Sequence, residues 1–222
     1  MQRHFELELE DLKKELLRMG SLAEEAIFEA VEALKALDGE RAEKVIENDR
    51  VVDALENTID EKCVDLLALQ QPVAVDLRFI TMVMQIATDI ERIADLAVDI
   101  AQRALELEGK PLLKPLVDIP KLSLIAQKMV KETLTAFVNK DPALAQQVIA
   151  SDTQADELRN VIQKELIEDY MMKDPATSPR AVPLLLAARH LERICDHATN
   201  IAEDVIFMVL ARVARHHGEK SV

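Results

Sequence analysis

The sequence predicts an all-α protein built as two tandem, structurally repeated three-helix bundles: six long helices with left-right pseudo-symmetry. Three observations carry that prediction. Apolar residues recur at helical spacing along nearly the whole chain, and no stretch alternates as a strand would. Only four Gly and no Trp occur in 222 residues, 49% of which are apolar and 31% charged. The halves also repeat one another. TDIERIADLAVDIA at 88–101 lies over RHLERICDHATNIA at 189–202 at an offset of 101, and VIENDRVVDALENTI at 45–59 lies over VIASDTQADELRNVI at 148–162 at an offset of 103.

Each element follows from local signals. A first helix from about Phe5 to Leu37 stops at the turn signal Asp38-Gly39. A second runs from about Glu40 to Gln70, and Pro72 marks its end. A third, from about Val75 to Glu108, is stopped by Gly109. Pro111, Pro115 and Pro120 then exclude a helix interior, so residues 110–120 read as a linker between a first repeat at 1–109 and a second at 121–222. The pattern restarts with a fourth helix from about Lys121 to Asn139. Asp141-Pro142 opens a fifth as cap and first helical residue, ending near Lys173. Asp174-Pro175 and Ser178-Pro179 open a sixth, from about Pro179 to His216.

Charge narrows the partners. The net charge of −14 argues against nucleic acid, which needs a basic surface, and against attachment to anionic lipid. Residues 1–110 hold 26 acids and 13 bases, leaving 15 and 14 for residues 111–222, so the first half carries almost all of the excess. Cys63 and Cys195 show no metal or redox spacing and read as reduced, packed thiols of a cytoplasmic protein. The opening MQRHFELELEDLKKEL is charged throughout and does not read as a secretory signal. Uncharged stretches such as FITMVMQIAT fall short of the ~18 apolar residues a membrane span needs.

Each repeat carries two Asp/Glu-x-x-x-Asp pairs: Asp49 with Asp53 and Glu91 with Asp95, then Asp152 with Asp156 and Glu192 with Asp196. In an acidic helical chain such pairs arise readily, so their register is the stronger evidence. Positions 53 and 91 share the midpoint 72 with positions 49 and 95; positions 156 and 192 share 174 with 152 and 196. Both midpoints fall on hairpin turns. Facing residues in an antiparallel hairpin are equidistant from its turn, so Asp53 should face Glu91 and Asp49 should face Asp95, about 28 Å from the turn at 1.5 Å per residue. Four carboxylates along one groove either stay solvated, eased by Arg50, Arg92 and Arg193, or share cations. An oxygen-only donor set suits hard ions such as Mg²⁺, Ca²⁺, Mn²⁺ or ferric iron.

Other chemistry lacks its residues. Di-iron oxidases use Glu-x-x-His pairs, and none of the five His follows a Glu at that spacing. There is no His-Glu-x-x-His, no phosphate-cradling Gly loop and no nucleophile elbow, so catalysis is not expected. His190 and His197 flank the second motif, where a solvent-facing or capping role is the simpler reading. Met82, Met84, Met171, Met172 and Met208 read as core fillers.

The stretch LLALQQPVAVDLRFITMVMQIATDIERIADLAVDIA, together with LERICDHATNIAEDVIF, resembles the PhoU family of phosphate-uptake regulators. The resemblance implies a cytoplasmic, commonly dimeric negative regulator of the phosphate-starvation response, placed between a phosphate ABC transporter and a sensor histidine kinase. It also implies metal on the paired motifs, at Asp49, Asp53, Glu91 and Asp95 and at Asp152, Asp156, Glu192 and Asp196. Asp99 and Asn200 complete the two sets, Asn200 being the residue usual in the family. The chain departs from the family at Ala94 and Cys195, where Gly is frequent, and at Asp99, where Asn is frequent; the extra acid makes the first set the more anionic. The expected protein is a non-enzymatic adaptor and homodimer; the alternative is a carboxylate-bridged metal enzyme or metal store.

Overall fold

The computed structural model describes residues 2–211, and its helices begin and end where the chain supplies caps. α1 spans Gln2–Ala36, α2 Gly39–Gln70 and α3 Ala74–Leu107. Asp38 caps α2, its carboxylate accepting from the Arg41 backbone N–H at 3.1 Å. Gln71, in left-handed conformation at φ 48°, ends α2 ahead of Pro72. The second repeat comprises α4 at Asp118–Asn139, α5 at Pro142–Glu165 and α6 at Ser178–Leu210. Asp141 accepts from the N–H groups of Ala143 and Leu144, with Pro142 at the first helical position, where its missing N–H costs nothing.

Two boundaries differ from the sequence expectation. α4 starts at Asp118, so Pro120 lies inside its first turn, where a proline needs no hydrogen-bond acceptor. α5 does not run uniformly to Lys173; it widens into a π-turn at Leu166–Met171 and hands over to a single 3₁₀ turn at Pro175–Thr177 capped by Asp174. α6 is described to Leu210, and His216 and His217 lie outside the described residues. No strand occurs among the described residues.

α3 is the central helix of the first repeat, packed by α1 and α2, and α6 holds the same place among α4 and α5. The repeats join along α3 with α6 and along α1 with α4, and buried side chains from all six helices form one continuous core. Phe79 of α3 stacks on Phe137 of α4 at 5.7 Å between centroids. Gly20 lets α1 pack tightly against α4: a Cβ there would sit 2.3 Å from Leu134 Cδ1. Cys63 and Cys195 are buried and unbridged. Four of the five Met read as core fillers are buried or partly buried, but Met172, just past the π-turn, is 73% exposed.

Candidate functional site

The α2–α3 hairpin brings Asp49 to Asp95 and Asp53 to Glu91 as their shared midpoint predicts, and the α5–α6 hairpin gathers its four acids around Cys195. In the first groove burial raises the Asp49 carboxyl to about 6, helped by Asp53 beside it and Asp95 opposite. Burial likewise raises Glu91 to about 7, reinforced by Asp95, Glu56 and Asp53 and opposed by Arg92. Each acid thus feels both its neighbour one turn away and the acid across the groove. Arg92 lies at the rim, 3.5 Å from Glu91 and 3.3 Å from Asp95, with its side chain 56% exposed. Glu56 belongs to the cluster too, accepting from the Thr88 hydroxyl across the hairpin at 3.1 Å.

The second groove has the same frame with one sign reversed. The Asp196 carboxyl is raised by burial, then by Glu192 and Asp156, while His197 and Arg193 oppose the shift. Buried Cys195 lies beneath all four acids: its thiol is pushed up first by burial and then by Asp152, Asp196, Glu192 and Asp156. Arg159, however, reaches Glu192 at 2.9 Å in a pair whose side chains are 21% and 13% exposed. At the 103 offset Arg159 corresponds to Glu56. The first groove therefore holds five carboxylates, and the second holds four with a guanidinium already among them. Among the described residues no three His, Cys, Asp or Glu side chains are arranged to hold a metal ion as they stand.

Asp99 and Asn200 are engaged elsewhere, at the contact between repeats. Asp99 of α3 lies 3.5 Å from His190 of α6, and Asn200 of α6 reaches Asp89 of α3 at 3.4 Å. The residue numbers of both pairs sum to 289. That makes α3 and α6 antiparallel, with Ala94 opposite Cys195 at the pseudo-twofold centre, each at most 1% exposed. The greater negative charge of the first groove thus comes from Glu56, not from Asp99.

The two histidines do not face solvent. His197 Nδ1 lies 2.7 Å from Asp89, with side chains 19% and 18% exposed, and burial lowers the pKa of His190 although Asp99 opposes this. The duplication has diverged here as well. At the 101 offset Asp89, Asp99 and Arg103 correspond to His190, Asn200 and Asp204. Asp204, which replaces the arginine, is raised to about 7 by burial and then by Asp89 and Glu203. Sequence reasoning missed Asp89, Asp204 and Arg159; comparing the repeats position by position for reversed charges would have found them.

Comparison with known proteins places this geometry. The profile of the PhoU domain matches residues 16–104 and again 119–205, once per repeat. A phosphate-specific transport system accessory protein PhoU homolog of Aquifex aeolicus is 41% identical over 94% of this chain and 94% of its own, and a homolog of the same description from Pseudomonas aeruginosa is 41% identical over 97% and 89%. The crystal structure of PhoU from P. aeruginosa superposes with a TM-score of 0.90, covering 94% of this chain and 100% of that one. The phosphate transport system regulatory protein PhoU from Streptococcus pneumoniae, 30% identical, superposes at 0.88 over 95% and 99%. A repeated three-helix unit, matched end to end in sequence and in fold, makes this chain a member of the PhoU family.

Proposed function

We propose that this chain is a non-enzymatic regulatory accessory protein of phosphate-specific transport, whose acidic grooves bind cations. It acts in the cytoplasm as a homodimer, reports the state of a phosphate ABC transporter to a sensor histidine kinase, and so restrains the phosphate-starvation response. Its relatives' names support the association with transport. The observation that carries the reading is the first groove, where five carboxylates lie with Arg92 at the rim and two of them are raised toward neutrality.

The donors fit a hard cation. They are all oxygen, and the burial and mutual repulsion that raise Asp49 and Glu91 are costs of negative charge that a positive ion would relieve. Mg²⁺, Mn²⁺, Ca²⁺ or iron would be held by Asp49, Asp53, Glu91 and Asp95, with Glu56 adjoining, after the carboxylates rotate toward one another. Asp152, Asp156, Glu192 and Asp196 form the weaker second set, because Arg159 already supplies positive charge there. The cation would supply charge neutralisation, fixing the angle between α2 and α3 and hence the surface offered to a partner.

The test is the double variant Glu91→Ala, Asp95→Ala. Alanine keeps the helix and removes a repulsive pair one turn apart. Calorimetric titration with Mn²⁺ should lose the tighter binding event and keep a weaker one. A reporter of phosphate-starvation genes should become active in high phosphate while the protein stays folded and abundant. Loss of Mn²⁺ binding with repression intact would reduce the groove to a local stabiliser, and redox turnover by the wild-type protein would favour an enzyme.

A further inference from the structure

The two repeats close their far ends differently. In the second repeat the linker lies against α5: Lys114 pairs with Glu165, and Leu113 and Leu116 pack against the core. At the 103 offset these charged positions correspond to Asp11 and Lys62, which are also paired, at 2.6 Å, with the signs exchanged. There the neighbour of α2 is no extended linker but the first turns of α1, which have no counterpart because α4 starts at Asp118, the equivalent of Glu15.

Between those turns and the end of α2 lies an open cleft of about 470 Å³. It is lined by buried Leu66, by exposed Leu7 and Leu69, by His4 and Gln70, and by the acids Glu8, Asp11 and Asp65. Lys62, which also lines it, pairs with Asp11 and Glu15, and His4 lies 3.6 Å from Glu8, so the three acids outnumber the one fixed positive charge of the lining. Leu7 and Leu69 are 63% and 76% exposed, and the apolar surface continues over the hairpin tip through Val73 and Val75, at 74% and 56%. Grouped apolar side chains of this size, ringed by acids, mark a binding surface, not ordinary solvated exterior.

We propose that this cleft and the adjoining α2–α3 tip bind a basic, leucine-bearing segment of a protein partner. The acidic rim selects lysine or arginine and disfavours acidic segments. A second copy of this chain is a poor occupant, since a twofold contact through the same patch would set Glu8, Asp11 and Asp65 of each copy against one another. The surface lies between α1 and α2, apart from the α2–α3 groove, so it stands or falls independently of cation binding.

The probe is a short fluorescein-labelled peptide of leucine and lysine at helical spacing, read by fluorescence anisotropy against the full chain. Its counterpart with every lysine replaced by glutamate is the control. The variant Asp65→Lys, Leu69→Lys is compared with Glu168→Lys, Met172→Lys, which changes the same charge at the corresponding exposed positions of the second repeat; circular dichroism and melting verify both folds. The first variant should weaken binding of the lysine peptide at least about tenfold, the second no more than about twofold, and the glutamate peptide should not bind. Equal loss in both variants would mean attraction by bulk charge alone and would overturn the proposal, as would absence of binding by the wild type. A wild-type dimer in sedimentation, split only by Asp65→Lys, Leu69→Lys and indifferent to the peptide, would assign the cleft to a second copy instead.

Discussion

Replacing Arg159 by Glu would make the second groove electrostatically like the first. The guanidinium lies 2.9 Å from Glu192, with the pair's side chains 21% and 13% exposed. Removing one member of a fully buried pair costs about 3–5 kcal/mol, and partial exposure at the groove mouth brings this to about 2 kcal/mol. A fifth carboxylate adds repulsion to Asp156, Glu192 and Asp196. For a chain of this size each kcal/mol lowers the melting temperature by roughly 2–4 °C, so without added cation Arg159→Glu should melt about 4–8 °C lower. Millimolar Mn²⁺ or Mg²⁺ should restore most of the loss, and Glu56→Arg should do the reverse in the first groove, raising the melting temperature and weakening its response to cation to that of the second groove. Differential scanning calorimetry with and without chelator measures both. If Arg159→Glu melts like wild type and gains no cation response, the sign exchange at this position does not set groove electrostatics and the reasoning fails.

Three further outcomes follow from the same structure. Glu91 and Asp49 have folded-state pKa values of about 7 and 6, above the 4.5 and 3.8 of free carboxyls, so over that interval the native chain binds more protons than the unfolded one. Their contribution is complete below about pH 4 and is lost as the pH rises through 7; urea midpoints across that window should fall with pH, and saturating Mn²⁺ should flatten the slope. His197→Ala removes the 2.7 Å contact to Asp89 and leaves that carboxylate facing Asp204; chemical denaturation should show a loss of about 1–3 kcal/mol. Gly20→Ala drives a Cβ into Leu134 and should cost about 1 kcal/mol despite alanine's better helix propensity, whereas in a Leu134→Ala background the same change should stabilise; strict additivity of the two would refute the contact.

What was legible in the sequence was whatever a local rule or the duplication fixes. Caps at Asp38 and Asp141 stop and start helices by short-range hydrogen bonds, so those boundaries could be read directly. The facing of Asp49 with Asp95 and of Asp53 with Glu91 follows from one short turn, because an antiparallel hairpin has a single register once its turn is known. The contact between α3 and α6 has no such turn. Its register depends on how two repeats dock a hundred residues apart, and no short-range signal gives that docking. The family resemblance therefore groups Asp99 and Asn200 with the groove acids, whereas the docking engages them with His190 and Asp89. His190 and His197 looked solvent-facing for the same reason. The asymmetry between Glu56 and Arg159 lay in the aligned halves throughout, but its meaning needed the distance from Arg159 to Glu192. The π-turn at the end of α5 follows from no composition signal that we can identify.

The central claim is that the first groove is a cation site, and Mn²⁺ can be located directly in it. Crystals of the full chain grown with Mn²⁺, with data collected at the manganese edge, give an anomalous difference map in which the ion announces its own position. The account predicts a peak bounded by Asp49, Asp53, Glu91 and Asp95, stronger than any peak near Glu192, where Arg159 competes. A map with no peak in the first groove at saturating Mn²⁺, near neutral pH and with those carboxylates well ordered, would contradict it.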